Sequence, residues 1–133
     1  ARRNSIENEI VIYEKDSDIS YSVCGLPYYI GEDYIERDNL VPRDSAWFKK
    51  RFDIEIKTGH EVKSVDSINK KIEVLNIASG ETVTDSYDIL VFATGAKPII
   101  PAITGIKSEN VFTLRNVKSA EMIKDYIHII KVL

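Results

Sequence analysis

The hydrophobic positions of this 133-residue chain fall into three kinds of run, each predicting a different element. Residues 10–13 (IVIY) are continuously apolar and β-branched, as in a strand buried on both faces of a parallel sheet, and they end in Glu14-Lys15-Asp16. Residues 54–57, 61–66, 71–77 and 82–85 alternate with period two. Ser67-Ile68-Asn69-Lys70 and Ala78-Ser79-Gly80-Glu81 separate them with turn composition, which predicts an antiparallel meander. Residues 87–93 (YDILVFA) are a second continuous apolar run, predicted as a buried strand that ends in Thr94-Gly95, and residues 111–114 read as a further short strand. Helical spacing covers residues 25–30, residues 43–52 behind Pro42, and residues 117–130, where Ala120, Ile123, Ile127 and Ile130 share a face. Residues 31–41 read as a loop, and Pro98, Pro101 and Gly105 mark an extended linker. The order predicts an α/β fold in which a β-meander interrupts a parallel sheet. Strands 10–13 and 87–93 are then expected as neighbours or near-neighbours, with Glu14 and Thr94 at one carboxyl edge.

Composition narrows the classes. With 44% hydrophobic and 29% charged residues the chain fits one compact domain. Its net charge of -3 comes from interspersed Lys, Arg, Asp and Glu, without the basic block that tracks a phosphate backbone, so no nucleic-acid partner is expected. No apolar run approaches the ~20 residues of a bilayer crossing, and ARRNSIENE has no signal-peptide h-region, so no membrane is expected and the location reads as cytoplasmic. A lone cysteine forms no internal disulfide and, without clustered ligands, no zinc site. His60 and His128 read as structural, and Trp47 and Phe48 as core. The chain begins on Ala1 without methionine and stops at Lys131-Val132-Leu133, where an apolar run has only begun; both ends read as cut from a longer polypeptide.

Three features carry candidate chemistry. A carboxylate at the end of a nucleotide-domain strand accepts two hydrogen bonds from a ribose diol, and Glu14 stands where that would occur; any strand reaching solvent also ends in polar residues. The six glycines, 25, 31, 59, 80, 95 and 105, form no Gly-x-Gly-x-x-Gly, so this chain contains no pyrophosphate cradle of that kind. Ala93-Thr94-Gly95, closing an apolar strand, lets backbone approach a cofactor closely. Cys24, at the start of a predicted helix and followed by Gly25, has two open readings. Free N–H groups and the helix dipole stabilise a thiolate, while free cysteine in general is a small buried hydrophobe.

EKDSDISYSVCGLPYYIGE, IKTGHEV, YDILVFATGAKP and FTLRNV occur in this order, and together the chain resembles the coenzyme A disulfide reductase branch of the single-cysteine pyridine nucleotide-disulfide oxidoreductases. Its most specific part is CGLPYY with Ser20 four residues before Cys24. The resemblance implies a FAD-binding Rossmann-type, three-layer ββα domain with an inserted meander, truncated at both ends. It also implies a parent that binds FAD and NAD(P)H and acts as a homodimer. Residues 1–116 would be a FAD-binding domain lacking its first βα unit, and residues 117–133 the start of the NAD(P)H-binding domain. Carried over by position, Cys24 is the redox cysteine and Glu14 and Lys15 lie at the adenosine-ribose end of the flavin site. Val62 meets the adenine through its backbone, Ala93, Thr94 and Gly95 form the second flavin turn, and Arg3 and Ser20 help hold coenzyme A. Val23 departs from the asparagine common before that cysteine in coenzyme A disulfide reductases. The implied reaction is reduction of coenzyme A disulfide or a related small disulfide. Open alternatives are an NADH oxidase or peroxidase cycling through a cysteine sulfenic acid, and a non-catalytic α/β module. The chain by itself is expected not to retain FAD, and to cover an unpaired strand edge by a dimeric or domain-swapped contact.

Overall fold

The computed structural model describes residues 2–132. The side chains of Lys131 and Val132, and all of Leu133, lie outside the description, and with them the apolar run expected to begin there. In chain order the elements are β1 (Val11–Glu14), a 3-10 turn (Val23–Gly25), α1 (Leu26–Gly31), α2 (Arg37–Leu40), α3 (Ser45–Phe52), β2 (Glu55–Thr58), β3 (His60–Asp66), β4 (Lys71–Asn76), β5 (Thr82–Ser86) and α4 (Val117–Val132). They divide into two compact units. The first comprises the chain up to Ile19 and Arg43–Ala93; the second comprises Ser20–Pro42 and the chain from Thr94 onward.

In the first unit β1 pairs in parallel with β2, Val11 opposite Glu55 through Glu14 opposite Thr58. The connecting α3 lies against β2. Asp44 starts this helix by accepting from the Trp47 N–H at 2.8 Å, and Asp53 ends it in the left-handed region at φ 49°. Lys49, Lys50 and Arg51 fill its last turn, where cations oppose the helix dipole. Arg2 completes that end, donating from Nε to the Phe52 carbonyl (2.8 Å) and from Nη2 to that of Asp53 (2.7 Å), two acceptors the helix itself leaves without partners. Trp47, Phe48 and Phe52 pack edge to face at 5.1 and 5.5 Å from the Trp47 ring, with Trp47 partly exposed.

The meander forms as its alternation predicts, in the order β3-β4-β5, all antiparallel. Its turns are closed by short side chains bonding their own backbone: Asp66 Oδ1 accepts from Ile68 and Asn69 N–H, and Asn76 Oδ1 from Ala78 and Ser79 N–H. Ile72 and Val74, two apart on the central strand, face the same side and are its buried residues. A bulge shifts the register between Val62 and Ser64.

Two predicted strands do not form. Residues 87–93 form no ladder and bend at Asp88 and Ile89, and the parallel partner of β1 is β2 instead. Ile89 and Phe92 are 85% and 71% exposed. A run of this composition becomes a strand only beside another edge, and among the described residues none pairs with it. Residues 111–114 likewise form no ladder.

In the second unit α1 packs on α4 and α2 touches α1, around Leu26, Leu40, Val117 and Ala120. The predicted loop at 31–41 contains α2, a single turn. Asn39 Oδ1 accepts the Glu36 N–H at 2.9 Å, and burial of Leu40 holds it in place. Lys124, 9% exposed, donates to the carbonyls of Glu32 (3.0 Å) and Ile35 (3.5 Å) and lies 4.2 Å from the Tyr29 ring centre. Arg37 and Glu121 pair at 2.9 Å, and His128 meets Asp33 at 3.1 Å.

Candidate functional site

In the first unit the carboxyl ends of β1 and β2 lie side by side. Glu14 Oε1 accepts the Asp16 N–H at 2.9 Å, and Gly59 donates to the Asp16 carbonyl at 3.4 Å, so the chain leaving β1 is fastened to the turn leaving β2. That turn enters β3 directly: the Gly59 carbonyl accepts from Ile77 N–H, and His60 Nδ1 lies 2.7 Å from the Thr58 carbonyl. This contact holds the His60 ring against the turn. Val62 follows two residues later, exposed and at the bulge. Lys15 and Arg3 are exposed, and Ala93 ends the extended run.

Beneath Glu14, Tyr13 joins the two sheets of this unit. Its hydroxyl donates to Asp85 of β5, and the Lys57 ammonium lies 5.3 Å from its ring centre. Burial first, then the bond to Asp85, raises the Tyr13 hydroxyl well above the ordinary tyrosine range. The Tyr13 hydroxyl, helped by the Ser86 N–H, holds the Asp85 carboxyl below the usual carboxylate range.

The second unit holds the thiol. Cys24 is exposed in the 3-10 turn, a turn built by Ser22. The Ser22 carbonyl (3.0 Å) and Oγ (3.2 Å) both accept the Gly25 N–H, and the Ser22 N–H donates to the Leu40 carbonyl at 2.9 Å. A Cβ at Gly25 would stand 2.8 Å from Ser22 Oγ and 3.1 Å from Leu40 Cδ2, so only glycine fits between the capping serine and the core. The buried-hydrophobe reading of Cys24 therefore does not hold. Ser20 is half-buried four residues before it. Thr94 and Gly95 are exposed, and Gly95, at φ 70°, adopts a left-handed conformation that other residues reach at a cost.

The predicted residues thus fall into two sets. Arg3, Glu14, Lys15, Val62 and Ala93 belong to the first unit, and Ser20, Cys24, Thr94 and Gly95 to the second. The first set supplies a strand-end carboxylate and strand backbone, and the second a thiol and a glycine turn. Among the described residues no His, Cys, Asp and Glu group could hold a metal ion. Arg115, which no sequence motif singles out, links two of these segments. Its Nε donates to the Ala96 carbonyl at 3.1 Å, and its own carbonyl accepts the Tyr21 hydroxyl at 3.3 Å.

A parallel strand pair and an antiparallel meander, with two short helices packed on a longer one, define an α/β fold with both kinds of sheet. Residues 1–128 match the family described as pyridine nucleotide-disulphide oxidoreductase, and the chain belongs to that family. It is 37% identical over 126 residues to the coenzyme A disulfide reductase of Staphylococcus haemolyticus, covering 95% of this chain and 28% of that protein. The structure of reduced Bacillus anthracis CoADR-RHD is similar at 41% identity and a TM-score of 0.88, over 96% of this chain and 23% of that one. A NAD-dependent persulfide reductase from A. fulgidus is similar at 37% identity and a TM-score of 0.83, over 93% of this chain and 24% of that one. The chain spans about a quarter of the length of these relatives.

Proposed function

We propose that the whole protein is a FAD-dependent, NAD(P)H-linked reductase of a small disulfide, coenzyme A disulfide first among them, working through Cys24. The observation that carries this reading is the exposed Cys24 thiol on a Ser22-capped turn, in one compact unit with the Thr94-Gly95 turn. The similarity to a coenzyme A disulfide reductase supports the substrate class. Bound FAD would supply a two-electron path from the nicotinamide to the thiol. The Cys24 thiolate attacks one sulfur of the substrate disulfide, forming a mixed disulfide and releasing the other half as a thiolate. Two electrons from NAD(P)H then free Cys24 and the second thiol, so one NAD(P)H and one proton yield two thiols.

Glu14 and Lys15 would hold the adenosine ribose, Val62 the adenine, Ala93, Thr94 and Gly95 the flavin side, and Arg3 and Ser20 the coenzyme A. Residues 1–116 would belong to the FAD-binding domain and residues 117–133 to the start of the NAD(P)H-binding domain, in a cytoplasmic homodimer. The isolated chain, lacking a Gly-x-Gly-x-x-Gly loop, would not hold FAD. A flavin absorbance band from the isolated chain would refute that last point.

A second reading, an oxidase or peroxidase in which Cys24 cycles through a sulfenic acid, is favoured by Val23, an exposed apolar side chain beside the thiol that offers no polar contact to coenzyme A. Turnover by the full-length protein separates the readings. Coenzyme A disulfide, a small persulfide, oxygen and hydrogen peroxide are each offered with NADH and NADPH. Fast disulfide reduction, with Cys24→Ser retaining FAD and losing turnover, is the expected result. Oxygen or peroxide consumed far faster than any disulfide would replace the first reading with the second.

A further inference from the structure

We propose that Arg115 is a positioning residue that ties the Thr94-Gly95-Ala96 turn to the segment carrying Cys24, and so sets where the thiol stands relative to the cofactor; this rests on the redox reading above. The tie has two links in series. The Tyr21 hydroxyl, three residues before Cys24, donates to the Arg115 carbonyl at 3.3 Å, and the Arg115 side chain donates from Nε to the Ala96 carbonyl at 3.1 Å. The root of the arginine is fixed. Ser119 Oγ accepts both the Arg115 and the Asn116 N–H at 2.9 Å, Asn116 Oδ1 accepts the Ser119 N–H at 3.0 Å, and Val117 and Ala120, which follow on α4, are fully buried. At the far end a Cβ on residue 95 would stand 3.6 Å from Arg115 Nη2, an ordinary contact distance, so the guanidinium lies directly against this turn.

A charged donor suits this place. It makes a stronger hydrogen bond to a carbonyl than a neutral one, and the planar guanidinium holds its direction. The Ala96 carbonyl it grips belongs to the turn expected to meet the flavin, and the backbone it shares with Tyr21 leads to the redox thiol. Neither end needs Arg115 for its own local fold: the Cys24 turn is closed by Ser22, and the left-handed bend at Gly95 by the glycine itself.

The test uses the full-length, flavin-loaded protein with Arg115→Met, which keeps the side chain's length and removes its donors, Arg115→Lys, which restores one donor, Tyr21→Phe, and the double variant Tyr21→Phe/Arg115→Met. Arg115→Met is expected to retain flavin and keep its KM for NAD(P)H. It should lower kcat for the disulfide roughly ten- to hundredfold, as displacement of a reacting group by about an ångström does. It should also lose the long-wavelength absorbance of a thiolate packed on a flavin ring. Arg115→Lys should recover part of both. Because the links are in series, the double variant should be no worse than the worse single one. Wild-type kcat and absorbance in Arg115→Met, or multiplicative losses in the double variant, would overturn the proposal. If Arg115→Met sheds flavin, Tyr21→Phe decides, since it leaves the guanidinium in place; an unaltered kcat and band there overturn it. Wild-type protein without flavin or NAD(P)H-dependent disulfide turnover would refute the redox reading. The tie is then read from iodoacetamide labelling of Cys24, followed by peptide mass spectrometry. The rate rises severalfold in both single variants if the tie exists, and an unchanged rate overturns it.

Discussion

Residues 60–86 and residues 87–103 are both rich in β-branched and aromatic side chains, yet the first stretch folds into a three-stranded ladder and the second forms no ladder and stays mostly exposed. The meander carries its own partners. Each of its first two strands is followed within a few residues by a turn that returns the next strand antiparallel, and Asp66 and Asn76 close those turns from within. The later stretch has no such return, and Pro98 and Pro101 remove donors a ladder would use. Apolarity states that a segment needs cover; local turn chemistry decides whether the segment finds it nearby.

The sharpest way to break this contrast is a charge in each region. Val74 is fully buried at the centre of the meander, and Val74→Asp should cost about 4 kcal/mol, enough to abolish its cooperative unfolding transition. Ile99→Asp, at a side chain 95% exposed, should change stability by less than about 0.5 kcal/mol. Denaturant titration of both variants measures the difference, and equal losses would show that residues 87–103 are as firmly packed as the meander. Next comes a pair of glycines. Gly80 and Gly95 both adopt positive φ, and alanine at either should cost about 1 kcal/mol of backbone strain. At Gly80 nothing stands within 4 Å of the added methyl, and at Gly95 only Arg115 Nη2 does, at an ordinary contact distance of 3.6 Å, so backbone strain is the whole effect at both and the two losses should match.

An effect of about the same size as at the glycines, but dependent on pH, concerns Tyr13 and Asp85, which join the meander to the parallel pair. Tyr13→Phe should lose about 1 kcal/mol near neutral pH. Asp85 has a lowered carboxyl in the fold, so its contribution is present above the ordinary carboxylate range and is lost as the pH falls through its folded value. The raised Tyr13 hydroxyl contributes below the ordinary tyrosine range and is lost as the pH rises through its own folded value. Stability of wild type minus variant should therefore be flat between those limits and shrink at both ends. A difference constant from acid to strong base would remove the hydrogen bond from this account.

What the sequence made legible follows the same division. Period-two alternation and turn residues located the meander, Asp44 and the basic last turn located α3, and the apolar face of residues 117–130 located α4. The apolar run at 87–93 was read as a strand because composition reports a demand for burial and says nothing of a partner. The single turn of α2 left no periodic signal, being held by one side-chain bond and one buried leucine. Cys24, Glu14 and Thr94 stand out as candidates in the sequence because the chemistry proposed for them sits on their own side chains. Arg115 could not, since its contribution is a bond to a carbonyl nineteen residues away.

Lys124 turns the small helical unit into its own reporter. Its ammonium is spent on two main-chain carbonyls and an aromatic face, while Lys118, one and a half turns earlier on the same helix, is exposed. Amine-directed acylation should therefore mark Lys118 quickly and spare Lys124 for as long as residues 32–35 rest on α4. The ratio of the two labels becomes a clock for local opening, readable in a mixture and without any assay of chemistry at the thiol.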